Sequence, residues 1–314
     1  MGAIDFQLKQ DVHFGGTRVF DERVRVELIE GLRGALSVSL METPGARHSF
    51  TLQALHGLES AFEAVGHNDP VWPALGMVEP LKYMVIQSDH PDFFSLGGDL
   101  DHFAQCIKSR NRDALHEYAI RCLDLMYGWA TRWNGTMTTV ALVQGRALGG
   151  GFETALSADF LIAEEQSTFS FPEILFGLFP CTGGMGLLAR RVGVYQAERM
   201  MTNGRIYTAA ELLEMGVVDE LCAKGTGVGT VHKFVKKHAR HGSARLALQR
   251  SRYRLAPIDY NDLRCVVDDW VDAAMALKKS DLAIMEQLLR MQQASCDAPA
   301  ALPARRDLVG NDAA

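Results

Sequence analysis

The run Thr138-Thr139-Val140-Ala141-Leu142-Val143 constrains this chain more than any other segment. Apolar and rich in Val and Leu, it reads as a strand buried on both faces. It leads into Gln144-Gly145-Arg146-Ala147-Leu148-Gly149-Gly150-Gly151-Phe152-Glu153, where glycines end the strand and a helix opens. Consecutive glycines let another group approach the backbone with no Cβ in the way. Amides at a helix start have no intrahelical partner, so they can donate to an incoming oxygen. An upstream segment repeats the pattern. Tyr83–Gln87 reads as a buried strand, and Phe93-Phe94-Ser95-Leu96 ends in Gly97-Gly98 before Asp99. Two such turns can each offer one N–H to a single carbonyl oxygen. Repeated strand and helix predict an α/β fold with a parallel sheet and crossover helices.

Two carboxylates accompany the turns. Glu153 lies about one turn inside the predicted helix, among Leu148, Phe152, Ala155 and Leu156, so a partly buried position is expected. Glu173 follows Pro172 in a short loop. Donors for an oxyanion beside two acid/base groups point to enolate or acyl chemistry. Gly97, Gly98 and Gly150 are the oxyanion candidates, and the sequence does not choose between Gly97 and Gly98. Asp99 is expected to cap a helix rather than to catalyse. A dinucleotide-binding reading fails, because no Gly-x-Gly-x-x-Gly is present and Glu153 would stand close to the pyrophosphate.

These pieces resemble the crotonase (enoyl-CoA hydratase/isomerase) superfamily. The matching segments are Ser95–Asp99, Gly145–Glu153, Phe171–Pro180, and Thr208-Ala209-Ala210-Glu211 running to Gly216-Val217-Val218-Asp219, in order from about Ala35 to Leu221. More narrowly, Leu-Gly-Gly-Asp in the first turn, Leu-Gly-Gly-Gly-Phe-Glu in the second, and Trp270 on a C-terminal helix are similar to the diffusible signal factor (DSF) synthases. The resemblance implies a crotonase-like spiral of ββα turns with a helical C-terminal region. It also implies a homotrimer or dimer of trimers. By the same resemblance, Glu173 removes the C2 proton of a 3-hydroxyacyl thioester and Glu153 protonates the departing hydroxyl. Thioester hydrolysis would then release a cis-2-unsaturated fatty acid, a quorum-sensing signal. An acyl carrier protein is the expected carrier, because Glu42–Phe50 departs from the Asn-Arg-Pro…Asn-Ala-Leu pattern of many CoA-binding relatives. A regulatory sensor protein is a further partner that the resemblance allows. Leu148, Gly149, Trp270, Met285 and Leu288 are expected to line the substrate pocket. The rival readings are an ordinary enoyl-CoA hydratase/isomerase acting on acyl-CoA and a catalytically silent scaffold that binds a regulator.

The rest of the chain sets bounds. A net charge of −6 argues against a general nucleic-acid binder. No apolar run is long enough to span a bilayer, and the start lacks the basic and apolar regions of a signal peptide. The six cysteines are widely spaced with no Cys-x-x-Cys, which fits reduced thiols in a cytoplasm. His238 and His241 lack a third ligand nearby, so no metal is expected, and no cofactor is implied. The basic stretch from Lys233 to Arg254 reads as a solvated helix face or as a dock for an acidic carrier protein or for CoA phosphates. Four regions are expected: an N-terminal extension (1–34), a spiral core (35–240), a helical C-terminal region (241–295) broken near Pro257 and Ser280, and a disordered tail (296–314).

Overall fold

The computed structural model describes residues 12–13, 16–43, 45–66, 70–74, 77–131 and 136–297. Among them, an eight-stranded sheet runs in the order β1 (Val12–His13), β2 (Thr17–Phe20), β3 (Val24–Leu28), β4 (Ala35–Leu40), β7 (Tyr83–Ser88), β9 (Thr138–Val143), β11 (Phe160–Glu164) and β14 (Glu220–Cys222). Strands β1 to β4 pair antiparallel, and β4 to β14 pair parallel. Tyr83 lies opposite both Ala35 and Thr138, and Val140 opposite Phe160. Strands β4 and β9 are buried along their whole length, as a parallel sheet covered on both faces requires.

A second, smaller sheet stacks in the order β13 (Tyr207–Thr208), β12 (Thr168–Ser170), β10 (Arg146–Leu148) and β8 (Phe93–Ser95). A separate hairpin joins β5 (Val71–Ala74) to β6 (Met77–Pro80). The chain therefore alternates between layers. It passes from β7 to β8 and then through α2 (Leu100–Lys108) and α3 (Arg112–Thr131). It returns through β9 and β10 to α4 (Gly150–Leu156), then to β11 and β12. This repetition is the ββα spiral of the crotonase fold. The first turn is abbreviated: after β4, its place in the second layer is taken by Phe50, which bridges Gly98. Helix α1 (Leu52–Val65) follows, capped by the Thr51 hydroxyl, which accepts the Ala54 N–H at 3.2 Å.

The N-terminal extension differs from expectation. Its described strands β2 and β3 continue the main sheet, and Val24 and Val26 are fully buried. Charged residues alternate with apolar ones in Val24-Arg25-Val26-Glu27-Leu28, so one face of the strand is apolar. Helix α3 runs to Thr131, and 132–135 lie outside the described residues. The expected tail lies outside them from 298 on.

The remaining helices close the two faces. Helices α5 (Gly184–Val192), α6 (Val194–Thr202) and α7 (Ala209–Glu214) follow the second layer, the last with a Thr208/Glu211 capping box. Helix α8 (Gly227–Ala239) covers the outer face of the main sheet, packing Val231 and Val235 against Tyr83, Val85, Val140 and Ile162. Helix α9 (Gly242–Leu255) crosses the N-terminal ends of the strands, where Gln249 accepts from Thr138 at 2.9 Å and Arg252 pairs with Asp159 at 2.8 Å. Helices α10 (Tyr260–Met275) and α11 (Lys279–Asp297) pack against α3 and α2, with ion pairs Arg112–Asp272 and Lys108–Glu286 at their edges. No helix among the described residues is long and apolar enough to cross a membrane.

Candidate active site

A cavity of about 490 Å³ opens on the inner side of the spiral. Its polar end is formed by Gly98, Gly149, Gly150, Glu153, Glu173 and Thr182. Its apolar end is formed by Leu55, Leu58 and Phe62 of α1, Leu125, Met126 and Trp129 of α3, and Trp270 of α10. Phe62 and Trp129 stack at 5.6 Å, and both are 3 % exposed, so this end is closed to solvent. Trp270 meets the ring of Phe103 edge-on at 5.1 Å.

The glycine turns interlock. A Cβ at Gly97 would stand 2.6 Å from the Leu148 carbonyl and 3.1 Å from the Gly150 nitrogen. A Cβ at Gly98 would enter the ring of Phe103 at 2.6 Å. Gly97 also has φ +89°, a conformation that a side chain disfavours. Its N–H donates to Ser95 Oγ at 3.1 Å, and its carbonyl accepts from Phe50 N–H at 2.8 Å. Gly97 is therefore bound on both sides, whereas Gly98 lines the cavity. Gly150 is the first residue of α4, so its N–H has no partner within the helix.

The two carboxylates have different surroundings. Glu153 is 2 % exposed, and its Oε1 accepts the N–H groups of Thr182 at 2.9 Å and Gly184 at 2.8 Å. Burial raises its carboxyl above the usual range, and these bonds offset part of the rise. Glu173 begins a one-turn 3₁₀ helix, Glu173–Phe176, with its Oε1 against the α-carbon of Gly149. Its Oε2 is buried with no hydrogen-bond partner. Burial, and secondly the charge of Glu153, push its carboxyl up to about 8. Burial thus favours the protonated form at both carboxylates, and only at Glu153 do backbone N–H groups offset part of the rise.

The enoyl-CoA hydratase/isomerase family matches residues 36–256, more than half of the chain. The chain belongs to this family. Among curated proteins it is similar to one named "Probable enoyl-CoA hydratase" from Rhizobium meliloti, 40 % identical over 100 residues, which cover 32 % of this chain and 39 % of that protein. Its fold matches the crystal structure of enoyl-CoA hydratase from Bacillus halodurans with a TM-score of 0.69 at 21 % identity, covering 85 % of this chain and 99 % of the other. It also matches DspI from Pseudomonas aeruginosa with a TM-score of 0.63 at 25 % identity, covering 85 % and 91 %.

Within this family member, most of the expected site residues meet around the cavity. Leu148, Gly149, Trp270 and Leu288 line it with Gly98, Gly150, Glu153 and Glu173. Two expected residues do not. Gly97 supports the turn from behind, and Met285 is fully buried in the core without lining the cavity. Asp99 caps α2 through His102 N–H at 3.4 Å, as expected. Lys233, Lys236 and Lys237 on α8, and Arg240 just after it, are exposed, on the opposite face of the main sheet from the cavity. His238 is buried in that outer layer, where Nδ1 meets the Tyr83 hydroxyl at 3.1 Å. No cluster among the described residues has a metal-binding arrangement of His, Cys, Asp or Glu.

Three features were not anticipated. Thr182 and Gly184 hold Glu153, and the signal for them was present: Gly183-Gly184 is another glycine pair opening a helix. Cys122 and Cys181 line the cavity, and burial pushes the Cys122 thiol up to about 12 and raises Cys181 well above its ordinary value. These thiols are therefore neutral wall groups rather than nucleophiles. Tyr118 also lines the cavity and ties two loops together.

Proposed function

We propose that the protein dehydrates a 3-hydroxyacyl thioester to a 2-enoyl thioester and hydrolyses the product to a cis-2-unsaturated medium-chain fatty acid of the DSF type. The observation that carries this reading is the pair of unequal carboxylates facing two glycine turns at the end of a closed apolar cavity. The thioester oxygen accepts from the N–H groups of Gly98 and Gly150, which stabilises the enolate formed when the C2 proton leaves. Glu173 takes that proton, and Glu153 delivers one to the departing 3-hydroxyl. The acyl chain lies along Trp270, Leu125 and Trp129. For hydrolysis, the same two N–H groups hold the tetrahedral intermediate while a glutamate activates water.

In the free enzyme Glu173 holds its proton up to about pH 8. Proton abstraction by Glu173 needs its ionised form, so kcat/KM for dehydration rises as pH passes through that value. Hydration of an enoyl thioester needs the protonated form, so its rate falls there. Membership of the enoyl-CoA hydratase/isomerase family favours a second reading equally: reversible hydration of an enoyl-CoA with no hydrolysis of the thioester. Incubation with 3-hydroxyacyl thioesters of carrier protein and of CoA, with products read by mass spectrometry and NMR, separates the two. A free cis-2-enoic acid from the carrier-bound substrate is expected. A trans product that stays esterified, or turnover of CoA thioesters alone, assigns the protein to the second reading.

A further inference from the structure

The orientation of the Gly98 N–H follows from its neighbours. In a trans peptide the carbonyl of one residue and the N–H of the next point in opposite directions. The Gly97 carbonyl is held by the Phe50 N–H, so the Gly98 N–H points away from the Phe50 segment. The following peptide is fixed differently. In a regular parallel ladder, the Asp99 N–H would bond directly to the Phe50 carbonyl, since Phe50 bridges Gly98. Here the hydroxyl of Tyr118 stands between them. It accepts the Asp99 N–H at 3.0 Å and donates to the Phe50 carbonyl. The ring of Tyr118 is 2 % exposed and packs edge-on against Phe103, whose own ring fills the space beside Gly98.

We infer that Tyr118 is a positioning residue for the oxyanion-binding turn. Its hydroxyl spaces the Phe50 segment from the Gly98-Asp99 peptide and fixes the direction in which the Gly98 N–H is presented. The inference rests on the proposed role of Gly98 and adds to it a residue whose hydroxyl is engaged by the Asp99 N–H and the Phe50 carbonyl. Neither hydrogen bond can be replaced by an aromatic ring alone. Loss of the hydroxyl lets the peptide rotate toward a direct ladder bond, and a donor misplaced by less than an ångström forfeits much of its effect.

The test uses Tyr118→Phe in the full chain, with a 2,4-dienoyl thioester, presented on CoA and on carrier protein, as a chromophoric probe. Polarisation of the bound carbonyl shifts the dienoyl absorbance to longer wavelength. Tyr118→Phe is expected to lower kcat about tenfold with KM changed less than about twofold, and to reduce the absorbance shift. If that variant does not fold, 3,5-difluorotyrosine at position 118 keeps the hydroxyl but makes it a poorer acceptor, and an intermediate shift is expected. A wild-type kcat and a wild-type shift in either folded variant overturn the role of Tyr118. A wild-type enzyme that turns over its thioester without shifting the probe on either carrier overturns the oxyanion reading instead.

Discussion

Glu153 and Glu173 carry the same functional group into the same cavity, yet the chain surrounds them differently. Glu153 sits inside a helix and takes two backbone N–H bonds from the start of α5. Glu173 sits on a single 3₁₀ turn, pressed against a glycine, with one oxygen buried and unpartnered. Burial favours the neutral acid in both, but only Glu153 has N–H donors that offset part of the rise. The amides around each carboxylate are what distinguish the two.

The comparison breaks most directly by removing each acid in turn. Glu153→Gln and Glu173→Gln are each expected to lower kcat/KM by about two orders of magnitude or more. A folded variant with near-wild-type turnover would remove that glutamate from the chemistry. A smaller effect concerns stability. The folded value of Glu173, about 8, lies above its ordinary 4.5, so the folded state binds the extra proton between these values. Its contribution is full below about pH 4.5 and is lost as pH rises through about 8. Thermal melts across this window should show wild-type Tm falling with pH more steeply than that of Glu173→Gln. Equal slopes would mean that Glu173 is not held protonated by the fold. The smallest effect concerns the basic stretch, whose α8 part lies on the outer face of the main sheet. Reversing the charge of Lys236, Lys237 and Arg240 should change KM less than about twofold with either carrier, since α8 lies behind the main sheet. A selective rise for the carrier-protein substrate would restore that helix as a docking face.

Much of the spiral was legible because its demands are local. Thr138–Val143 is apolar without interruption, and the glycines after it are required by contacts that no side chain survives. Glu153 and Glu173 follow from those turns. The strands before Gly34 were not legible, since their hairpin turns at Asp21 and Glu22 with positive φ and no glycine to announce it. The choice between Gly97 and Gly98 was closed to sequence reasoning because a serine hydroxyl two residues away makes it. Met285 and Leu288 are neighbours on one helix, and only the packing of α11 decides which reaches the cavity.

The interlocking of the two glycine turns has a consequence for what the enzyme's activity measures. Gly98 and Gly150 belong to successive turns of the spiral, and the Leu148 carbonyl fills the place of the side chain that Gly97 lacks. Neither turn contains the site, and a fragment ending before Gly149 would hold half of it, however well folded. Catalytic rate is therefore a gauge of docking between layers. It registers a slip of one turn against the next that leaves every strand and helix intact.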